Sequence, residues 1–232
     1  MIRHALMWLL VAAGPAAAET DYELIRDFDV IALQREYAYV ENPTILKWER
    51  PIRFHVERGA PVDDAEIDVL AAHIRDLSAL TGIAFSAAAR AAEANFRVLF
   101  VHKRDLAATA RRVFAGNDKV IDYVIDRANC LAVYGQDGGG ALITVTVIIP
   151  VDGKTPAQLR RCILEETTQS MGLVNDAPDV GLSLFNSKGG AVDEVTPHDR
   201  ILLRLLYHPR IRAGMGRAEA LRIAREVLPE LR

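Results

Sequence analysis

Two adjacent acids, Glu165 and Glu166, sit in the middle of an apolar stretch that has helical periodicity. Gln169 follows one turn later, Gly172 interrupts the pattern, and Asn175-Asp176 come three and four residues after it. On a helix, Glu165 and Gln169 share a face because positions i and i+4 are stacked. Gly172 is the residue expected to end that helix in a left-handed conformation. The chain must then turn back, so this segment predicts a helix from Thr155-Pro156 to Met171, with Thr155 as N-cap and Pro156 at the first helical position. A loop over 175–190 comes next. A second helix follows from Thr196, and an amphipathic helix over 217–228 ends the chain.

The residues before the motif predict mainly strands. Ile52 to Val56 alternates apolar and polar residues as a half-buried strand does. Asp63 or Asp64 caps a helix to about Leu80, with an apolar stripe through Ile67, Leu70, Ile74 and Leu77. Short strands are expected over 83–86, 96–101 and 130–134, and a β-branched strand over 141–149. The last two read as a hairpin around Gln136 to Gly140. Residues 105–114 predict a helix, and 117–127 are ambiguous between helix and loop. The fold class is α+β: one domain over 48–232 with a mixed sheet, a central helix, the motif helix and C-terminal helices. An N-terminal arm spans 19–47.

The first 18 residues read as a secretory leader: Arg3, an apolar run over 5–13, Pro15, and the small residues Ala16-Ala17-Ala18 before the expected cleavage point. The run is shorter than the ~20 residues a membrane span needs. The expected location is therefore the periplasm or the outside of the cell, with no transmembrane anchor in the mature chain. Cys130 and Cys162 are the only cysteines, and in an oxidising compartment they are expected to pair. A formal net charge of −3 with no basic cluster speaks against nucleic acid as a partner. Ser183 lacks a G-x-S-x-G elbow, and Gly138 to Gly140 precede a strand rather than a helix, so neither a serine hydrolase nor a phosphate loop is indicated.

Glu165 to Asp176 resembles the zinc-peptidase pattern HExxHxxGxxH. The spacing, the central Glu166 and Gly172 are kept, while Glu165, Gln169 and Asn175 stand where three His would be. Ser183-Leu184-Phe185-Asn186 resembles the Met turn of the metzincin clan, with Phe185 in place of Met. Thr196 to Asp199 and Leu206-Tyr207 resemble the helix that follows it in matrixins. The EExxQxxGLxND segment and the later LYxPR also resemble a family of exported bacterial proteins of unknown function. The metzincin resemblance implies a zincin-like fold, Glu166 as general base, and Glu165, Gln169 and Asn175 or Asp176 as metal positions. An all-oxygen donor set suits a hard divalent ion rather than zinc. Three readings stay open: a divergent metal-dependent peptidase, a binding module in which a Glu165–Gln169–Asn175 network replaces the metal and the cleft takes a peptide or envelope protein, or an envelope structural protein in which the motif stabilises the core. In the first, the strand ending near Ile149 would be the edge to which a peptide adds. His198 and His208 are further candidates for reaching the cleft. His55 and His73 are expected on a strand and on a helix surface, without partners.

Overall fold

The strands over 96–101 and 142–150 are apolar on both faces, and this decides the architecture, because such strands must be covered on two sides. A computed structural model describes residues 19–36, 40–114, 118–188 and 192–232; the expected leader lies outside them. Five strands, β1 (Ile52–Arg58), β2 (Phe85–Ala87), β3 (Phe96–Val101), β4 (Leu131–Gln136) and β5 (Leu142–Pro150), form one sheet in the order β2-β1-β3-β5-β4. β1, β2, β3 and β5 run parallel, and only β4 is antiparallel, paired to β5.

The helices are α1 (Asp21–Leu33), α2 (Asp64–Thr81), α3 (Leu106–Val113), α4 (Asp118–Ile125), α5 (Pro156–Gln169), α6 (Pro197–Leu206) and α7 (Arg217–Val227). Phe96, Val98 and Phe100 of β3 and Val145, Val147 and Ile149 of β5 enter the main core with α1, α2, α5, α6 and α7. Leu99, Val101 and Ile148 face the other way, into a smaller core with Leu106, Ala110 and Ile121 from α3 and α4. The ambiguous segment around 117–127 is thus helical from Asp118, because its apolar side closes the second face of the sheet.

Two expectations need correction. β5 is not an edge: β3 lies on one side and β4 on the other, so the outer strands are β2 and β4. His73 is not on a surface: it is 4% exposed, and its Nε2 lies 3.0 Å from Thr168 Oγ1, where α2 packs against α5. Burial lowers its pKa to about 4, so the ring is neutral at ordinary pH. α1 is enclosed as well, with Phe28, Ile31, Ala32 and Leu33 fully buried. The expected disulfide is formed: Cys130 is bonded to Cys162 with Cα atoms 6.0 Å apart. It ties α5 to the start of the β4–β5 hairpin.

Candidate functional site

Thr155 and Gln158 form a reciprocal capping box at the start of α5, and Pro156 occupies its first turn. The helix therefore begins where the sequence predicts. It ends at Gln169, two residues earlier than predicted, and a tighter turn carries the chain on through the Met171 N–H to Thr168 O and the Gly172 N–H to Gln169 O bonds. Gly172 has φ +113°, and a Cβ there would lie 1.9 Å from Leu46 O. Only glycine fits such an approach. The turn is clamped from both sides: Trp48 Nε1 donates to Ser170 O at 2.9 Å, and Tyr207 Oη donates to Met171 O at 2.8 Å. The spacing of the motif thus has a packing reason independent of any chemistry.

The loop after the turn folds back under the motif helix. Ser183 Oγ donates to Asp199 Oδ1 at 2.5 Å, and the Leu184 N–H to Asp199 Oδ2 at 3.2 Å. Asp199 is fully buried and also caps α6, accepting from the Thr196 N–H at 2.9 Å. One carboxylate thereby fixes both the Ser183–Asn186 turn and the helix start, with Phe185 fully buried between them.

Arg161, one turn before Glu165, joins the two parts. Its Nε donates to Glu165 Oε2 at 3.0 Å, and its Nη2 donates to the carbonyls of Leu184 and Asn186 at 3.3 and 3.2 Å. Gln169 Nε2 donates to Asp176 Oδ1 at 2.8 Å. Asn175 turns elsewhere. Its Nδ2 donates to Val30 O at 3.1 Å and its N–H to Ile31 O, so it caps the end of α1. Glu165, Gln169 and Asp176 are brought together, and Asn175 is not.

Glu166 is 8% exposed. Burial first, then the nearby charges of Glu165, Glu36 and Asp176, push its pKa well above the ordinary carboxylate range. The same causes, in the same order save that Asp176 is now the titrating group, raise Asp176 to about 8. Burial also raises Glu165, against the pull of Arg161. In this crowd of acids, Asp176 keeps its proton at mildly acidic pH, Glu166 is pushed the same way, and Glu165 is held by Arg161. Of Glu165, Gln169 and Asn175 only Glu165 offers a donor that zinc favours, since zinc takes His, Cys and carboxylate ligands, and all three already serve protein partners. Two members of the site went unrecognised from sequence. Arg161 carried a readable signal, an opposite-charge pair at i, i+4 with Glu165. Glu36 carried none, since only the fold brings the end of α1 to this place.

Among the described residues, His198, His208 and His55 lie apart from the motif. His198 Nδ1 pairs with Glu19 at 2.6 Å, His208 Nε2 lies 3.5 Å from Glu230, and His55 Nδ1 lies 3.0 Å from Ala88 O. Two surface concavities of about 300 and 510 Å³ are lined by neither Glu165, Glu166 nor Asp176; the first reaches α5 only at Pro156 and Leu159.

Fold and site define an α+β domain whose mixed sheet carries a helix with a buried carboxylate cluster, held by a disulfide of the kind found in oxidising compartments. Among the described residues no helix is long and apolar enough to cross a membrane. The chain belongs to the family described as "Protein of unknown function (DUF2927)", which matches residues 21–226. No curated protein matches it.

Proposed function

We propose that this is an exported peptide- or protein-binding module on a metallopeptidase-like frame, in which a charged hydrogen-bond network stands where a metal would be. The observation that carries this reading is Arg161. Its guanidinium joins Glu165 to the carbonyls of the Ser183–Asn186 turn, and so supplies a fixed positive charge between the motif helix and the turn beneath it. The Gln169–Asp176 bond occupies a second would-be ligand pair. The order of elements from β1 to α6, with the motif helix directly after β5 and a tight turn below it, supports the metzincin-type resemblance. β4 is an outer strand whose far edge pairs with no described strand, so an extended peptide could add there by main-chain hydrogen bonds.

A second reading rests on the crowded acids. Glu165 and Glu36 raise the proton affinity of Glu166 and Asp176, and Asp176 that of Glu166, and a hard divalent ion would relieve that repulsion as well as protons do. Glu166 would then be the base that acts on bound water in a divergent peptidase. The discriminating experiment compares the parent with a Glu165→Gln/Asp176→Asn double variant, both purified without chelator. It measures metal per chain by elemental mass spectrometry, together with cleavage and binding of an extended-peptide library. Equal metal content, no cleavage and retained peptide binding support the module. Metal lost in the double variant, with turnover abolished by Glu166→Gln, would establish the peptidase instead.

A further inference from the structure

At the start of α1, away from the carboxylate motif, His198 is held between two acids. Its ring is 92% buried. Nδ1 lies 2.6 Å from Glu19 Oε1, a short charge-assisted bond that makes Nδ1 the protonated nitrogen. Nε2 is buried without a hydrogen-bond partner among the described residues. The group facing it is Asp27 Oδ2 at 3.7 Å, too far for a hydrogen bond. The Asp27 side chain is itself 3% exposed. Its other oxygen, Oδ1, accepts from Arg26 Nε at 2.7 Å, and this leaves Oδ2 turned toward the imidazole.

A buried, unpartnered ring nitrogen and a carboxylate oxygen 3.7 Å from it call for a cation or a proton between them. Two ligands of a zinc-sized ion, each about 2.0–2.1 Å from it, sit at roughly this separation. A ligating His normally donates its other ring N–H to a carboxylate, which fixes the tautomer and strengthens the ligand; Glu19 has that position. One ligand atom from each of Glu19, Asp27 and His198 lies within 4.8 Å of the other two, and the three are the only such His, Cys, Asp or Glu group among the described residues.

We propose that His198 Nε2 and Asp27 Oδ2 bind a divalent ion of the zinc and cobalt class, with Glu19 as the positioning residue and water completing the shell. The ion would have a structural role. It would fasten the middle of α1 to the first turn of α6, and Glu19 O in turn accepts from Arg232 at 2.7 Å. Arg26, which holds Asp27, also donates to Asp179 O at 3.2 Å, so the same clasp reaches the loop below the motif helix.

The test uses Zn²⁺ itself on protein freed of metal and moved to chelator-free buffer, with calorimetric titration and melting temperature as readouts. The expected result is one Zn²⁺ per chain and a raised melting temperature, both lost in His198→Gln and in Asp27→Asn. Glu165→Gln/Asp176→Asn should keep them, which separates this site from the motif. Glu19→Gln should weaken binding about 10- to 100-fold. Where a variant does not fold, the ring-nitrogen NMR signal of His198 in the parent replaces it, and a shift of Nε2 on adding Zn²⁺ supports the site. No uptake, uptake that survives both His198→Gln and Asp27→Asn, or an unmoved Nε2 signal would overturn it.

Discussion

Replacing Asp176 by Asn should stabilise this protein, by an amount that depends on pH in a defined way. Asn keeps the shape and the oxygen that accepts from Gln169, but it cannot ionise. Burial and the neighbouring Glu165 and Glu36 raise the Asp176 pKa in the fold from 3.8 to about 8. Below about pH 4 both folded and unfolded chains carry the proton, so parent and variant should not differ on this account. From about pH 4 to pH 8 the unfolded chain releases the proton while the folded chain keeps it. The parent therefore loses stability across that window, and the loss levels off above it. Each tenfold change in the acid constant is about 1.4 kcal/mol, which sets a ceiling of about 6 kcal/mol. Asp176 is partly exposed, and solvent screening should leave about 2–3 kcal/mol of this. Urea unfolding of both proteins at pH 4, 5.5, 7 and 8.5 measures it. A variant that is less stable at pH 7, or a difference that does not change with pH, would mean that Asp176 is ionised in the fold and held by a cation, and the network reading would fail.

Three further outcomes are expected. Replacing both Cys130 and Cys162 by Ser opens a loop with a sequence separation of 32 residues; chain entropy predicts a loss of about 3–4 kcal/mol, read as a lower urea midpoint than that of the oxidised parent. Asp199→Ala removes the shared acceptor of Ser183 Oγ, the Leu184 N–H and the Thr196 N–H. At about 1–3 kcal/mol for each buried group left unpaired, the loss should exceed about 3 kcal/mol, with loosening of the Ser183–Asn186 turn seen by hydrogen exchange. Gly172→Ala puts a Cβ 1.9 Å from Leu46 O at φ +113°, and should yield little folded protein in a soluble-expression and circular-dichroism comparison, whereas Gly138→Ala, with open space around it, should behave as the parent.

Much of the fold was legible because its signals are local. Thr155-Pro156 and Thr196-Pro197 announce their helices through capping boxes that both form. Gly82, at φ +72°, ends α2 where the sequence predicts, and the alternation in β1 and the β-branched run of β5 mark strands whatever their neighbours. The site was legible only in part. Glu165, Glu166, Gln169 and Gly172 share one helix and its turn, so their relation follows from helical geometry. Asn175 was read as a ligand, and yet it caps α1, whose end lies some 145 residues earlier in the chain. His73 was read as exposed because its own helix shows no reason to bury it; the reason, Thr168, sits on another helix.

The sequence alone therefore determined most of the helices and strands, where α5 and α6 begin, where the motif helix turns back, and which two cysteines had to meet. Each of these depends on residues a few positions apart, or on there being no other choice of partner. Tertiary structure alone decided that β4 and not β5 is an outer strand, that Arg161 reaches the Ser183–Asn186 turn, that the exposed Glu36 lends its charge to the acids of the motif, and that His198 faces Asp27. Those facts depend on strand order and helix packing, which bring distant segments within a few ångströms. The protonation of the acids follows from the same packing, since burial and like-charge proximity are properties of the assembled fold and not of any local stretch of chain.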